Sequence, residues 1–403
     1  MTAPPGDALA LTRALVAIDS RNPAFASDAP GEGVVAALLA DTLNAWGFTV
    51  DLIEVAPGRP NVLARIGGGH GGRSLLLNGH LDTVGVAGMV HPPFTPDERD
   101  GLLYGRGSAD MKAGVAAMCA AAWRAAQQDL GGEVIIAAVI DEEWESAGTR
   151  ALLEMGLSAH AAIVTEPTRL AVCPAHRGFA WADLHVHGRA AHGSRYDIGI
   201  DAITHAALIL AELETYQQGE LSARTHPLLG RGSFHAGSIK STNALSAYPA
   251  WCTVGLERRT LPGETGADFV REIRDAIARV AARPATPAAT HASNIRADVT
   301  LGLVQRPNDV PHDHPLVTGL LAATAQVEQS QGSPAPIEGL SCWTDAALLT
   351  AAGIPAICYG PGDIAVAHAD TEFVPVAEIA QATAVLTSFI RAWSGPRGTA
   401  WGS

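Results

Sequence analysis

Acids and histidines recur in this chain where apolar runs end. Leu75-Leu76-Leu77-Asn78-Gly79 leads into His80-Leu81-Asp82. A short continuous apolar run is the pattern of a strand buried on both faces. Open α/β sheets place their ligands at the carboxyl ends of such strands. The His-x-Asp spacing has a physical use, because a metal-binding imidazole needs its second ring nitrogen held by an acceptor, and a carboxylate supplies one. A second run, Glu133 to Ile140, ends in Asp141-Glu142-Glu143, and a third, Ala161 to Thr165, ends in Glu166-Pro167. Adjacent acids at the end of a buried strand are costly unless something positive sits beside them. Asp110 stands before an alanine-rich helical stretch, where one oxygen can cap the helix and the other remains available. Acids and histidine at these strand ends and this helix start point together to a metal site. Further on, His368 and Glu372 have the spacing that puts two side chains on one helix face.

Other candidate chemistry is weaker. His185 and His187 lie on the polar face of an alternating stretch, where solvated histidines compete with a separate two-histidine site. Gly67 to Gly72 is glycine-rich but is followed by no lysine and helix, so a hairpin turn is expected there rather than a phosphate loop.

The elements that must position these residues follow from periodicity. Helical spacing covers Ala8 to Ile18 and Gly31 to Trp46, the latter closed by Gly47. Strands are expected at Phe48 to Val55 and Asn61 to Ile66. Phe94 to Tyr104 is expected to be two-stranded, with Asp100-Gly101 as its turn, and Met111 to Gln128 is expected to be a helix. After Gly178 the pattern becomes half-exposed. Strands at Phe179 to His187, Ser233 to Ile239, Ala250 to Arg258 and Asn294 to Gln305 interleave with helices at Ile200 to Leu213 and Phe269 to Ala282. This β-α-β-β-α-β order describes a ferredoxin-like sandwich, with Pro284 to Pro287 as a loop inside it. Helices at Pro315 to Glu328 and Ser341 to Ala352 and a strand at Ile354 to Tyr359 restore the first character. The expected division is residues 1–177 and 307–396 as one domain, 178–306 as an inserted one, and 397–403 as a tail.

Composition narrows the function classes. With 403 residues, two domains are the default expectation. A hydrophobic share of 47% and a charged share of 17% describe a folded globular chain. The net charge of -14 and pI near 5.5 argue against nucleic acid and anionic membranes as partners. Cys119, Cys173, Cys252, Cys342 and Cys358 are scattered and form no Cys-x-x-Cys pair. Buried thiols in a reducing compartment are expected. Met1 to Ser20 shows no signal-peptide pattern, and no apolar run reaches the roughly 18 residues that span a bilayer. A cytoplasmic protein is expected.

Several motifs in order carry a resemblance. They are Gly79-His80-Leu81-Asp82-Thr83-Val84, the Gly105 to Gly114 stretch, Asp141-Glu142-Glu143, Glu166-Pro167-Thr168, Ala191-His192-Gly193-Ser194, Glu257 to Gly263, and Gly360-Pro361-Gly362 with His368. Over nearly its whole length the chain resembles the two-zinc metallo-exopeptidase and deacylase family, which includes acetylornithine deacetylase, succinyl-diaminopimelate desuccinylase, aminoacylase and glutamate carboxypeptidase. The resemblance implies a three-layer α/β catalytic domain carrying an inserted ferredoxin-like lid and dimerisation domain.

It also implies roles. One zinc would be held by His80, Asp110 and Glu166, and a second by Asp110, Glu143 and His368. Cobalt or manganese suit the same donors. Asp82 would orient His80, Glu142 would act as general base, and the peptide after Asp110 would be cis. His192 of a second subunit would stabilise the oxyanion, which makes the expected state a homodimer formed through the inserted domain. Asn243, Arg259, Gly360 and Gly362 would grip a substrate carboxylate. The chain departs from the family pattern at Tyr196, Ala347 and Thr371. The expected reaction is hydrolysis of an N-acyl amino acid, with a dipeptidase or carboxypeptidase as the alternative and an N-carbamoyl amino acid hydrolase as a third variant.

Overall fold

The continuous apolar runs become the inner strands of a mixed sheet. The computed structural model describes residues 2–69, 71–242, 244–283, 295–328 and 335–396. Asn243, the Pro284 to Pro287 loop and the tail from residue 397 lie outside the described residues. The chain divides into two compact units, one spanning Met1–Ala175, Val310–Leu340 and Thr344–Ser403, the other His176–Asp309 with Ser341–Trp343.

The strands of the large mixed sheet include β1 (Thr49–Ala56), β2 (Arg59–Gly67), β3 (Leu75–His80), β4 (Glu133–Val139), β5 (Ala161–Val164), β6 (Val172–His176), β7 (Ile337–Leu340) and β8 (Ala356–Cys358). Their spatial order is β1-β2-β4-β3-β5-β8-β6, with β7 paired to β6. β3 runs parallel to both neighbours, and β5 runs parallel to β8. Every residue of β3 is buried, as a strand covered on both faces requires. The expected hairpin at Gly67 to Gly72 is not formed. That segment joins β2 to β3, and β4 lies between them, antiparallel to one and parallel to the other. The hairpin signal at Asp100-Gly101 holds, since both residues have positive φ and Arg99 pairs with Leu102.

Helices pack in two sets. Ala113–Ala125 and Val376–Ser394 pack on each other and on β3 and β4, together with Ala8–Val16 and Pro315–Glu328, while Ala147–Glu154 packs with Ala346–Ala351. The Ala113–Ala125 helix is buried along nearly all its length, and its alanines let it approach the sheet closely. The helix begins later than periodicity suggests, at Ala113, because Asp110 and Met111 have non-helical backbone angles and the peptide between them is cis. Ala346–Ala351 is shorter than the expected Ser341 to Ala352. No helix contains His368 and Glu372; the segment is a series of turns in which His368 has φ of +60°.

The second unit has strands Gly178–His187, Ser233–Ser241, Trp251–Thr260 and Arg296–Gln305, with helices Ala202–Tyr216 and Gly266–Ala281 between them. The sheet order is Ser233–Ser241, Trp251–Thr260, Gly178–His187, Arg296–Gln305, all antiparallel. This is the ferredoxin-like arrangement. Alternation along Gly178–His187 is strict, with Ala180, Ala182, Leu184 and Val186 in a core shared with Ile209, Val254 and Phe269. Thr265 and Asp268 form a capping box at the start of the second helix.

Candidate metal centre

Strand ends and one helix start bring the predicted acids and histidines of the first unit together. β3 delivers His80 at its last position, β5 leads into Glu166, and β4 leads into Asp141, Glu142 and Glu143. Asp110 sits just before the Ala113–Ala125 helix. Two glycines make this approach possible. A Cβ on Gly114 would lie 1.9 Å from the Thr165 carbonyl oxygen, and one on Gly79 would lie 2.9 Å from both Met111 and Val115. The helix start therefore sits against the ends of β3 and β5, where Asp110 meets His80 and Glu166.

The donors fall into two sets, His80 with Asp110 and Glu166, and Asp110 with Glu143 and His368, each with ligand atoms within 4.8 Å of one another. His80 Nε2 lies 3.0 Å from Asp110 Oδ1. His368 Nε2 lies 3.2 Å from Asp110 Oδ2 and 3.1 Å from Glu143 Oε1. Asp110 thus faces one imidazole with each oxygen. Glu142 belongs to neither set.

Asp82 reaches its neighbours differently from expectation. His80 Nδ1 donates to the Asp82 main-chain carbonyl at 2.9 Å, while the Asp82 carboxylate is 3.6 Å away. That carboxylate instead accepts from Asn22 Nδ2 at 2.8 Å and from the backbone N–H groups of Glu142 and Glu143 at 3.2 Å. Asp82 therefore orients the imidazole through its backbone and the two glutamates through its side chain. A main-chain carbonyl only accepts, so His80 Nδ1 carries the proton and Nε2 is left for a metal.

Electrostatics describes a site short of positive charge. Burial, and then the neighbouring charges of Glu166 and Asp110 respectively, push Glu142 and Glu143 above the usual carboxylate range. Glu166 is raised well above it by burial and by Asp110. Burial opposes the charged imidazole of His80, yet Asp110, Asp82 and Glu142 hold its pKa well above the ordinary value. For His368 burial is likewise outweighed by Asp110 and Glu143, which bring it to about 10. Four acids converging on two imidazoles, with nitrogen and carboxylate oxygen as the donor types, fit a pair of divalent cations such as zinc.

Gly360 and Gly362 lie against the backbone of this cluster, since a Cβ on Gly360 would lie 2.6 Å from the Glu166 carbonyl oxygen and one on Gly362 would lie 3.3 Å from Ala109 Cα. The Gly360 N–H donates to Thr168 Oγ1 at 3.1 Å and the Gly362 N–H to Glu378 Oε2 at 2.8 Å. Each of these N–H groups has a protein acceptor. His192 and Arg259 belong to the second unit. His192 is exposed, and its Nδ1 accepts from the Ser194 N–H at 3.3 Å with Ser194 Oγ at 2.8 Å. Arg259 Nε donates to Glu257 Oε1 at 2.6 Å, and its guanidinium lies over the Phe179 ring. His187 pairs with Asp298 and His185 with Thr253, so they form no common site.

Sequence reading missed several supports. Asn22 bridges Asp82 and Asp141, while Arg59 binds Glu32 through two nitrogens and Asp141 through one. Buried Asp345 accepts from Thr149 Oγ1 at 2.5 Å, and burial raises its pKa to about 6. Glu372 accepts from Arg106 and from the loop that carries Asp110. Only Arg106 lay inside a recognised motif; the others depend on contacts between distant segments.

A profile of peptidase family M20/M25/M40 matches residues 76–392. An N-formyl-4-amino-5-aminomethyl-2-methylpyrimidine deformylase of Bacillus subtilis is 28% identical over 379 residues, covering 88% of each chain. An acetylornithine deacetylase of Myxococcus xanthus is 31% identical over 365 residues, covering 88% of this chain and 90% of that protein. A tripeptidase of Staphylococcus aureus has the same fold, with a TM-score of 0.76 at 20% identity over 96% of this chain and 98% of its own. The site geometry, the profile and the relatives agree, and the chain belongs to peptidase family M20/M25/M40.

Proposed function

We propose that this member of a family of metal-binding amide hydrolases removes an acyl group from an amine, with an N-acyl amino acid as the first substrate class to test. The observation that carries the reading is Asp110, with one oxygen toward each imidazole, beside a Glu142 that belongs to neither donor set. His80, Asp110 and Glu166 would hold one cation, and Asp110, Glu143 and His368 the other. Zinc is the metal proposed, with cobalt or manganese able to replace it. When bound, such a pair lowers the pKa of water and polarises a carbonyl.

The chain's own residues do the rest. Glu142 takes the proton of the attacking water and passes it to the leaving amine. Asp82 keeps Glu142 and Glu143 apart in role by anchoring both backbones. His192 Nδ1 accepts from a backbone N–H, so in the neutral ring Nε2 carries the proton. That N–H suits a developing oxyanion, and we assign it to the active site of a partner copy in a homodimer. Arg259 offers a planar fork for a substrate carboxylate, and Asn243 is proposed for the same role. Buried thiols at Cys119, Cys173, Cys252 and Cys358 suit a reducing compartment, and we propose the cytoplasm. Among the described residues no helix is long and apolar enough to cross a membrane.

The deacylase reading is supported over peptide cleavage by two relatives named for removing acetyl and formyl groups. The test is release of free amine from N-acetyl, N-formyl, N-succinyl and N-carbamoyl substrates and from dipeptides, with zinc- or cobalt-loaded protein. Cleavage of one acyl class, stopped by a chelator, supports the proposal. Cleavage of dipeptides alone makes the protein a dipeptidase and overturns it.

A further inference from the structure

Glu372 is fully buried, yet neither proposed metal set includes it. Its carboxylate is instead the acceptor for a whole loop. Oε1 receives the backbone N–H groups of Ala109 at 3.0 Å and Asp110 at 3.1 Å. Oε2 receives the Gly107 N–H at 3.0 Å and Arg106 Nη1 at 2.6 Å. Arg106 is itself held by two carbonyls, Gly85 through Nε at 3.0 Å and Ala369 through Nη2 at 3.3 Å. One end of this arrangement is Asp110, and the other is the turn segment that carries His368. That segment has no helix to define its course. It is held where Ala369 meets Arg106, where Glu372 meets the loop, and where Phe373–Pro375 pairs with Leu102–Tyr104.

We propose that Arg106 and Glu372 are a positioning pair that sets the separation of Asp110 from His368 and thereby forms the second cation site. The proposal rests on the reading of Asp110 and His368 as ligands. Its physical basis is the number of donors converging on one carboxylate. Four N–H groups point at two oxygens, so a neutral amide at this position would turn a donor toward donors and release the loop. Asp110 and His368 would then no longer be held at the separation that lets them share a cation with Glu143. The His80 end of Asp110 depends less on the pair, because His80 is fixed by β3 and by the Asp82 carbonyl.

The test is equilibrium binding of Co2+ alone to metal-free protein, with circular dichroism and thermal unfolding of the same samples. In Glu372→Gln the second Co2+ equivalent is expected to bind about 10–100-fold more weakly, with the first equivalent changed less. Glu372→Asp, which keeps both acceptor oxygens, is expected to recover part of that loss. A purely structural ion pair would lower thermal stability without separating the two equivalents. If Glu372→Gln does not fold, Arg106→Lys is used in the same titration, since it keeps the charge but not the fork to Gly85 and Ala369. Two equivalents bound as tightly as in the parent protein would overturn the proposal. Asp110→Asn separates the two readings. If it loses both equivalents while Glu372→Gln keeps them, only the positioning pair fails. If it keeps both, the ligand assignment fails, and the pair with it.

Discussion

At the scale of single residues, the proposed roles separate holding a cation from moving a proton. Glu142 lies outside both donor sets, and its backbone is tied to Asp82. Glu142→Gln should therefore lower kcat by about 10²–10⁴ while both Co2+ equivalents remain in an equilibrium dialysis. Loss of a metal in that variant would move Glu142 among the ligands. A buried histidine outside both proposed donor sets gives a pH response. His176 is buried, donates Nδ1–H to the Arg177 carbonyl at 2.9 Å, and is lowered to about 4 by burial. Its folded pKa is below the unfolded value of about 6.5, so the unfolded chain binds the proton first. Stability is kept above about pH 6.5 and falls as the pH drops toward 4, by up to ~1.4 kcal/mol per unit. The difference between wild type and His176→Gln in urea midpoints across this range should follow that slope. Parallel curves would show that His176 makes no contribution.

At the scale of elements, the site depends on how closely a helix start approaches two strand ends. Gly114 faces the Thr165 carbonyl oxygen with no room for a methyl group. Gly114→Ala should push the Ala113–Ala125 helix off the end of β5, costing about 1–3 kcal/mol. The same shift moves Asp110 away from Glu166, so Co2+ affinity should fall with stability. Unchanged affinity in a destabilised variant would mean that the loop from Gly105 to Asp110 keeps its place without the helix. Leu77 tests the strand itself. It is fully buried in β3, and Leu77→Ala should lower unfolding free energy by about 2–5 kcal/mol in a denaturant titration.

At the scale of the whole molecule, the chain contains two compact units, and only one of them carries the proposed ligands. All the proposed ligands lie in the first unit, on segments from His80 to His368. The second unit has its own core, built on Leu184, Val186, Ile209, Val254 and Phe269. Metal bound only to the folded state adds about 2.7 kcal/mol at a concentration 100 times Kd. Calorimetry of chelated and metal-loaded protein should therefore move the unfolding of the first unit and leave that of the second. A single transition that does not respond to chelation would contradict the metal centre.

The sequence by itself determined which residue types end the buried strands, and so His80, Glu166 and the Asp141 to Glu143 run were legible as a charged cluster. It also determined the strict alternation of Gly178–His187 and the order of elements in the inserted unit. These features are local, since burial on one face or two imposes a period that nearby residues display. Tertiary structure alone decided that Asp82 reaches His80 through its carbonyl and that its carboxylate holds the backbones of Glu142 and Glu143. It also placed the Glu372 carboxylate on the N–H groups of the Asp110 loop, although its spacing from His368 matched a helix face. Periodicity describes an element only where the chain forms one, and His368 sits in a left-handed turn instead. Packing likewise set Thr168 and Glu378 as acceptors for the Gly360 and Gly362 N–H groups. Contacts between residues hundreds of positions apart leave no periodic trace, because packing brings them together after the local elements are set.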